Sequence, residues 1–326
     1  MAFKKSSSIF NVPSQQSICY MERDRLIPGN ILFSDYHTLR TTDWIEATVV
    51  HVFIGYDFAS ITGFVQTSAY EIILVDNTNN CLRVFNRLYG KLYKFAGDCG
   101  REGIRDGNNP LFTRLTSIMQ DNQNPSLFYV IDDYNSAVRM VTKSAVPHVA
   151  TLIKRRDRLY TYLTQHPDGK FLYLTHSKGL ELFNLLTNTS NDIIAESTNF
   201  ADNAMIYDSN IGSFVAIIIL QNNFIMLADS TRNVLFLFDL TTNSTSTICT
   251  GLEGYRSGNA SFCQTNRPMS LLNMDGDIYV GEYLAISLFK GRIISKMGLD
   301  YGCHRITFSQ NCINWIDASN YTIKLS

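Results

Sequence analysis

Tyr129-Val130-Ile131-Asp132-Asp133-Tyr134-Asn135-Ser136-Ala137-Val138-Arg139-Met140 reads as an apolar strand, an acidic pair, a short polar turn and a second strand with alternating apolar residues. Two short runs of this kind around a turn signal a β-hairpin. The pattern recurs along the chain. It stands at Ile73-Leu74-Val75-Asp76 leading to Cys81-Leu82-Arg83-Val84-Phe85, and at Met226-Leu227-Ala228-Asp229 leading to Val234-Leu235-Phe236. It returns at Tyr279-Val280-Gly281-Glu282-Tyr283 before Ala285 to Phe289, and at Trp315-Ile316-Asp317 before Tyr321 to Lys324. A weaker copy runs from Leu172 through Thr175 to Phe183.

The markers 76, 132, 175, 229, 282 and 317 lie 35 to 56 residues apart, the length of one four-stranded blade. Six units predict an all-β chain folded as a six-bladed β-propeller, in which no blade buries its faces alone. The last copy is a strand short. Ala47 to Gly55 reads as an outer strand with no blade before it, so this N-terminal strand is expected to complete the last blade and remove two open edges. The expected domains are a tail over 1–40 and a propeller over 41–326.

The 326 residues are 45% hydrophobic and 17% charged, with 28 Lys plus Arg against 29 Asp plus Glu. That excludes a wholly disordered chain and a globally basic nucleic-acid binder. The longest apolar run, Phe214 to Leu220, is far short of the roughly 20 residues of a membrane helix, so no membrane span is expected. No leader follows Lys4 and Lys5. With the abrupt end at Ser326, this suggests an ectodomain cut from a longer precursor. Sequons at Asn188, Asn243, Asn259 and Asn320 permit a secreted glycoprotein, at about the number chance alone would give.

Two stretches resemble the NHL-repeat propeller family. One is Phe95-Ala96-Gly97-Asp98-Cys99-Gly100-Arg101-Glu102-Gly103-Ile104-Arg105-Asp106-Gly107, continuing through Phe112 to the hairpin at Asp132. The other is Cys249-Thr250-Gly251-Leu252-Glu253-Gly254-Tyr255-Arg256-Ser257-Gly258, with Phe262 and Arg267-Pro268. The copies at 76 and 229 match the family's hairpin alone. The resemblance implies fold over roughly residues 45 to 326 and leaves function open, since propellers host many functions. The repeated Asp needs no ligand to explain it, because a carboxylate at a strand end accepts backbone bonds from the turn that follows.

Seven cysteines, Cys19, Cys81, Cys99, Cys249, Cys263, Cys303 and Cys312, make an odd count without zinc-type spacing. The turn at Asn86 to Gly90 folds Cys81 back toward Cys99. Cys249 ends an outer strand, and Cys263 follows the glycine loop of the next blade. Both pairs occupy comparable places in two blades, so both are expected to be disulfides of an oxidised, extracellular domain. Cys19 is left to pair with Cys303 or Cys312.

Strand direction alternates within a blade, so the hairpins after the second strands and the links between blades share one rim. This rim is expected to carry Arg101, Glu102, Arg105, Tyr134, Arg155, Arg156, Arg232, Tyr255, Arg256 and Tyr283. Arg and Tyr on loops are typical interface anchors, so the leading reading is an extracellular module binding a protein or an anionic glycan. Lys154-Arg155-Arg156-Asp157-Arg158 keeps an RNA-binding NHL domain as the weaker candidate.

Catalytic chemistry is sparse. His37, His51, His148, His166, His176 and His304 show no H-x-x-x-H spacing, and no G-x-S-x-G elbow occurs. No catalytic set, metal or cofactor is assigned. The enzymatic alternative is a metal-dependent hydrolase or lyase of gluconolactonase-like or amidating-lyase-like type, with Asp132, Asp133 and Asn203 near the channel.

Overall fold

The computed structural model describes residues 2–11, 18–35, 38–43, 48–54, 60–177, 179–195, 214–220, 223–257, 261–283 and 285–292. The chain begins with strand β1 (Ala2–Asn11). Blade 1 is β2 (Tyr20–Arg23), β3 (Ile31–Ser34), β4 (Thr38–Asp43) and β5 (Thr48–Ile54). Blade 2 is β6 (Ile61–Gln66), β7 (Glu71–Asp76), β8 (Cys81–Asn86) and β9 (Lys91–Ala96). Blade 3 is β10 (Leu115–Gln120), β11 (Leu127–Asp132), β12 (Ala137–Thr142) and β13 (His148–Lys154). Blade 4 is β14 (Tyr160–Gln165), β15 (Phe171–His176), β16 (Gly179–Asn184) and β17 (Thr189–Ala195). Blade 5 is β18 (Phe214–Ile219), β19 (Phe224–Asp229), β20 (Val234–Asp239) and β21 (Ser244–Ile248). Blade 6 is β22 (Ser270–Met274), β23 (Asp277–Glu282) and β24 (Ala285–Arg292), with β1 as its fourth strand.

The molecule is a six-bladed β-propeller of antiparallel sheets, closed by an N-terminal strand in the last blade. The closing segment differs from the expectation. β5, which contains Val50, pairs with β4 inside blade 1, whereas β1 pairs with β24 from Ala2↔Arg292 to Asn11↔Ala285. Strands therefore begin well before residue 40, where a tail was expected. Two features hid this arrangement. The hairpin of blade 1 turns tightly between Asp35 and Thr38, so it lacks the longer polar insert of the other copies. β1 is rich in Lys and Ser, because an outermost strand can pair by backbone alone without an apolar pattern. The copy expected at 317 lies outside the described residues.

The blades pack through their apolar faces. Between blades 2 and 3, Val65, Ile73, Val75 and Leu82 meet Phe112, Leu115, Phe128 and Val130, all buried. Each such side chain contributes about 1.5–3 kcal/mol when removed from water, which no isolated blade could obtain. At the axis, Tyr20 of blade 1 lies 5.0 Å from Phe64 of blade 2 and stacks at 5.7 Å on Tyr162 of blade 4. Its hydroxyl donates to the Ile118 carbonyl of blade 3 at 3.3 Å. Aromatic side chains thus fill the centre at that level.

Candidate functional site

Each hairpin between the second and third strands is built on a buried polar residue. Asp76 accepts from the Asn79 side chain at 2.9 Å and lies 2.8 Å from Arg83 Nε. Asp132 accepts from Thr113 N (2.8 Å), Asn135 Nδ2 (2.9 Å) and Arg139 Nη1 (2.6 Å). Asp229 accepts from Thr231 N, Arg232 N and the Arg232 guanidinium. Burial pushes the carboxyl groups of Asp76, Asp132 and Asp229 upward against these bonds. The turns close with a left-handed residue before the third strand: Asn80 at φ 56°, Ser136 at 50° and Asn233 at 56°. Asn tolerates that region better than most residues, which is why polar turn residues recur there.

The third residue of the third strand is Arg40, Arg83, Arg139 and Glu181 in blades 1 to 4. The pairing to the fourth strand is interrupted immediately before each of these residues. In blade 5 the residue is Phe236 and the pairing there is regular. An irregularity of this kind re-aims a side chain, and here it accompanies the charges that lie under the hairpins.

Arg139, like Glu181, is fully buried. It bonds Asp132 and Asp106 at 2.6 Å each, and also the carbonyls of Leu111 (3.2 Å) and Arg105 (2.9 Å). It therefore fastens the loop 98–112 to blade 3. Asn135 reaches the Gly103 carbonyl at 2.9 Å from the hairpin side. The expected disulfide Cys81–Cys99 holds the other end of the loop, with Cα atoms 5.1 Å apart. Gly97 has φ +97°, and a Cβ there would stand 3.1 Å from Cys81 Cα, so only glycine fits beside the bridge.

The loop between blades 5 and 6 repeats this design. Cys249–Cys263 closes it, with Cα atoms 4.5 Å apart. Gly254 N donates to Thr265 O at 3.2 Å, and Gln264 N to Arg256 O at 2.9 Å. Cys19, expected to pair with Cys303 or Cys312, is buried; those two partners lie outside the described residues.

The structure gathers the rim residues into two patches. In the first, Arg101, Glu102 and Arg105 are exposed on the stapled loop. Exposed Tyr134 lies on the neighbouring hairpin beneath the Arg114 guanidinium, 4.3 Å from the ring centre. Arg155 N bonds Ser136 O at 2.9 Å, which brings exposed Arg155 and Arg156 to the same hairpin. A cleft of about 530 Å³ runs beside this patch, lined by Lys94, Asp98, Arg105, Asp106, Asn108 and Asn109 among others. The second patch holds Arg232, Tyr255, Arg256 and Tyr283. Tyr255 donates its hydroxyl to the Tyr283 carbonyl, and burial together with the Glu282 charge pushes that phenol up to about 12. Arg232 is committed to Asp229 at 2.9 Å.

The basic run divides. Lys154 and Arg156 are exposed, whereas Arg158 turns inward to Glu181 Oε2 (2.9 Å) and Asp192 Oδ2 (2.9 Å), and Arg155 bonds Ser190 Oγ at 2.6 Å. Sequence reasoning missed this inward network. His176, Glu181 and Asp192 offer ligand atoms within 4.8 Å of one another, but the Arg158 guanidinium already bridges the two carboxylates and Arg155 stands 3.6 Å from Glu181 Oε1. Tyr160 adds a bond to Glu181 at 2.8 Å. The signal was available: Glu stands at the strand position where blades 2 and 3 carry Arg, so its counter-charge had to come from elsewhere. The candidate metal ligand Asp132 has its oxygens committed to protein donors, Asp133 Oδ2 faces Arg114 at 3.2 Å, and Asn203 lies outside the described residues.

No protein-family model matches the chain, and no curated protein matches it. Solved structures match by shape. An auxiliary nutrient binding protein from Bacteroides ovatus aligns with TM-score 0.67 at 10% identity, covering 88% of this chain and 76% of that one. A streptogramin B lyase aligns with TM-score 0.57 at 13% identity, over 88% of this chain and 97% of that one. The extracellular domain of a two-component system from Bacteroides thetaiotaomicron gives 0.57 at 12% identity, over 87% and 39%. At these identities the likeness establishes the six-bladed fold.

Proposed function

We propose that this chain is an extracellular binding module that captures a protein or an anionic glycan through the loop rim, chiefly the patch around Arg101, Arg105, Tyr134 and Arg156. One observation carries the reading. A loop pinned by a disulfide, by buried Arg139 and by Asn135 nevertheless turns cationic side chains outward. Arg105 donates to the Asn109 carbonyl at 2.5 Å and Arg101 stands 3.8 Å from Asp98, so both side chains are held in place on the loop, and a binding surface gains affinity where little ordering entropy remains to be lost. The two disulfides fit an oxidising compartment. A nutrient binding protein and an extracellular domain among the structural neighbours are compatible with this use of the fold. An RNA-binding role is less well supported, because Arg155 and Arg158 of the basic run are bonded within blade 4.

The test compares wild type with an Arg101→Ala, Arg105→Ala, Arg156→Ala triple variant on a sulfated-glycan array and a displayed library of extracellular domains. Capture weakened at least tenfold with an unchanged melting temperature is the expected result. Equal capture by the variant, or none by wild type on either surface, would sink the rim.

A further inference from the structure

The opposite face of the ring holds a cavity that the rim reading does not use. It opens where the inner strands of blades 1 to 3 end, has a volume of about 490 Å³, and is lined by Tyr20, Glu22, Arg25, Met119, Gln120 and Asn122 among others. That is within the range of small-molecule sites. Its polar groups are incompletely used. Glu22 Oε2 accepts from the Gln66 backbone at 3.1 Å and from its side chain at 3.2 Å, whereas Oε1 has no partner among the described residues. Arg25 is exposed, and its guanidinium has no ion pair among the described residues. Its positive charge is close enough to lower the Glu22 pKa without forming a contact pair. Gln120 spends its amide N–H on the Pro125 carbonyl at 2.7 Å, and Asn122 bonds the His166 carbonyl at 3.4 Å, so each leaves a carbonyl oxygen. The Tyr20 hydroxyl is spent on Ile118.

We propose that this mouth binds a small zwitterion, a free α-amino acid, with its ammonium on Glu22 and its carboxylate on Arg25. Charge and hydrogen-bond inventory both select that class. An ammonium brings three donors and no acceptor, and the cavity offers Glu22 Oε1 with the Gln120 and Asn122 carbonyl oxygens. A guanidinium pairs a carboxylate through two parallel bonds. Val65 and Met119 add apolar wall for a side chain. A cation alone would meet Arg25 and an anion alone would meet Glu22, so each is repelled by half of the site. Burial holds the Glu22 carboxyl at about 7, against bonds from Gln66 and the charge of Arg25. The other titratable groups around it are Tyr20 and Asp121 in the wall and Tyr162 behind Tyr20. The bound ammonium favours the ionised carboxylate, so affinity falls roughly tenfold from pH 8 to pH 6.

The test starts with saturation-transfer NMR of the twenty common amino acids at pH 8, followed by calorimetry with the best one, its N-acetyl derivative and its methyl ester. Saturable binding is expected, weakened at least tenfold by either blocking group and by Glu22→Gln or Arg25→Ala. Arg25 is exposed, so its variant keeps the test valid if the Glu22 variant fails to fold. The rim variant with Arg101, Arg105 and Arg156 replaced should bind as wild type does. The proposal is overturned if none of the twenty binds with a dissociation constant below about 10 mM, if the blocked derivatives bind equally well, or if Arg25→Ala changes nothing.

Discussion

Blades 3 and 4 support the same kind of hairpin with opposite charges. In blade 3, buried Asp132 ends the second strand and buried Arg139 answers it from the third. In blade 4, His176 stands where the Asp would be and Glu181 where the Arg would be. The cation that balances Glu181 is Arg158, from the chain just before the blade. In these two blades the charges under the hairpin are thus paired with opposite signs supplied from different stretches of chain. The two solutions differ in wetness at the cation. Each joins a fully buried carboxylate, Asp132 or Glu181, to a partly exposed one, Asp106 or Asp192, but Arg139 has no exposed side-chain surface whereas Arg158 keeps 16%.

That difference sets the order of effects. Arg139→Ala should cost about 3–5 kcal/mol in urea unfolding, since it strands Asp132 in the core and releases two loop carbonyls. Arg158→Ala should cost roughly 1–2 kcal/mol, because Arg158 is partly solvated and buried Glu181 keeps the Tyr160 hydroxyl at 2.8 Å and Arg155 at 3.6 Å. Equal losses would show that burial is not what separates the blades.

The stapled loops come next. Cys81→Ala with Cys99→Ala, and Cys249→Ala with Cys263→Ala, close segments of similar length, 18 and 14 residues. Each double variant should lose about 3 kcal/mol, the two losses agreeing within roughly 0.5 kcal/mol. A much larger loss for the first pair would mean that its bridge also holds the Arg139 network together. Without reductant, the denatured chain should show at most three reactive thiols, the seven cysteines less the four in bridges.

The smallest effect concerns pH. Burial, and then the Arg158 charge, lower the His176 pKa below its ordinary value. The fold thus prefers neutral His176, and its contribution is present above about pH 6.5 and lost as pH falls through the lower folded value. Asp132 is shifted the other way, upward by burial, so its contribution is lost as pH rises. His176→Gln should flatten the acid side of the stability curve below about pH 6.5, whereas Asp132→Asn should act in the opposite sense, removing a loss of stability that sets in as pH rises above about 3.9. An unchanged slope in the His176 variant would remove the histidine from the network.

The hairpins at 76, 132, 229 and 282 were legible because local physics writes them. An Asp or Glu ends an apolar strand, and an alternating strand follows. The disulfides followed from those hairpins, since register alone brings Cys81 to Cys99 and Cys249 to Cys263. Blade 1 escaped because its turn after Asp35 is short, and β1 escaped because backbone pairing leaves no pattern in side chains. The rim was legible as a place but not as an environment. Nothing near Tyr255 announces that its hydroxyl is spent on Tyr283, and nothing near Arg158 announces partners 23 and 34 residues away. The cavity around Glu22 lay within a segment expected to be a tail.

Ring closure by β1 has a kinetic consequence. Its partner β24 lies about 280 residues downstream, so at 5–20 residues per second a ribosome needs roughly 15–60 s to deliver it. Over that interval β1 has no mate, and the growing stack presents a raw edge at each end. Such edges invite pairing with other nascent chains. The Lys and Ser content of β1 fits a segment that must wait in water without sticking, and the final latch is the contact that topology makes slowest to form.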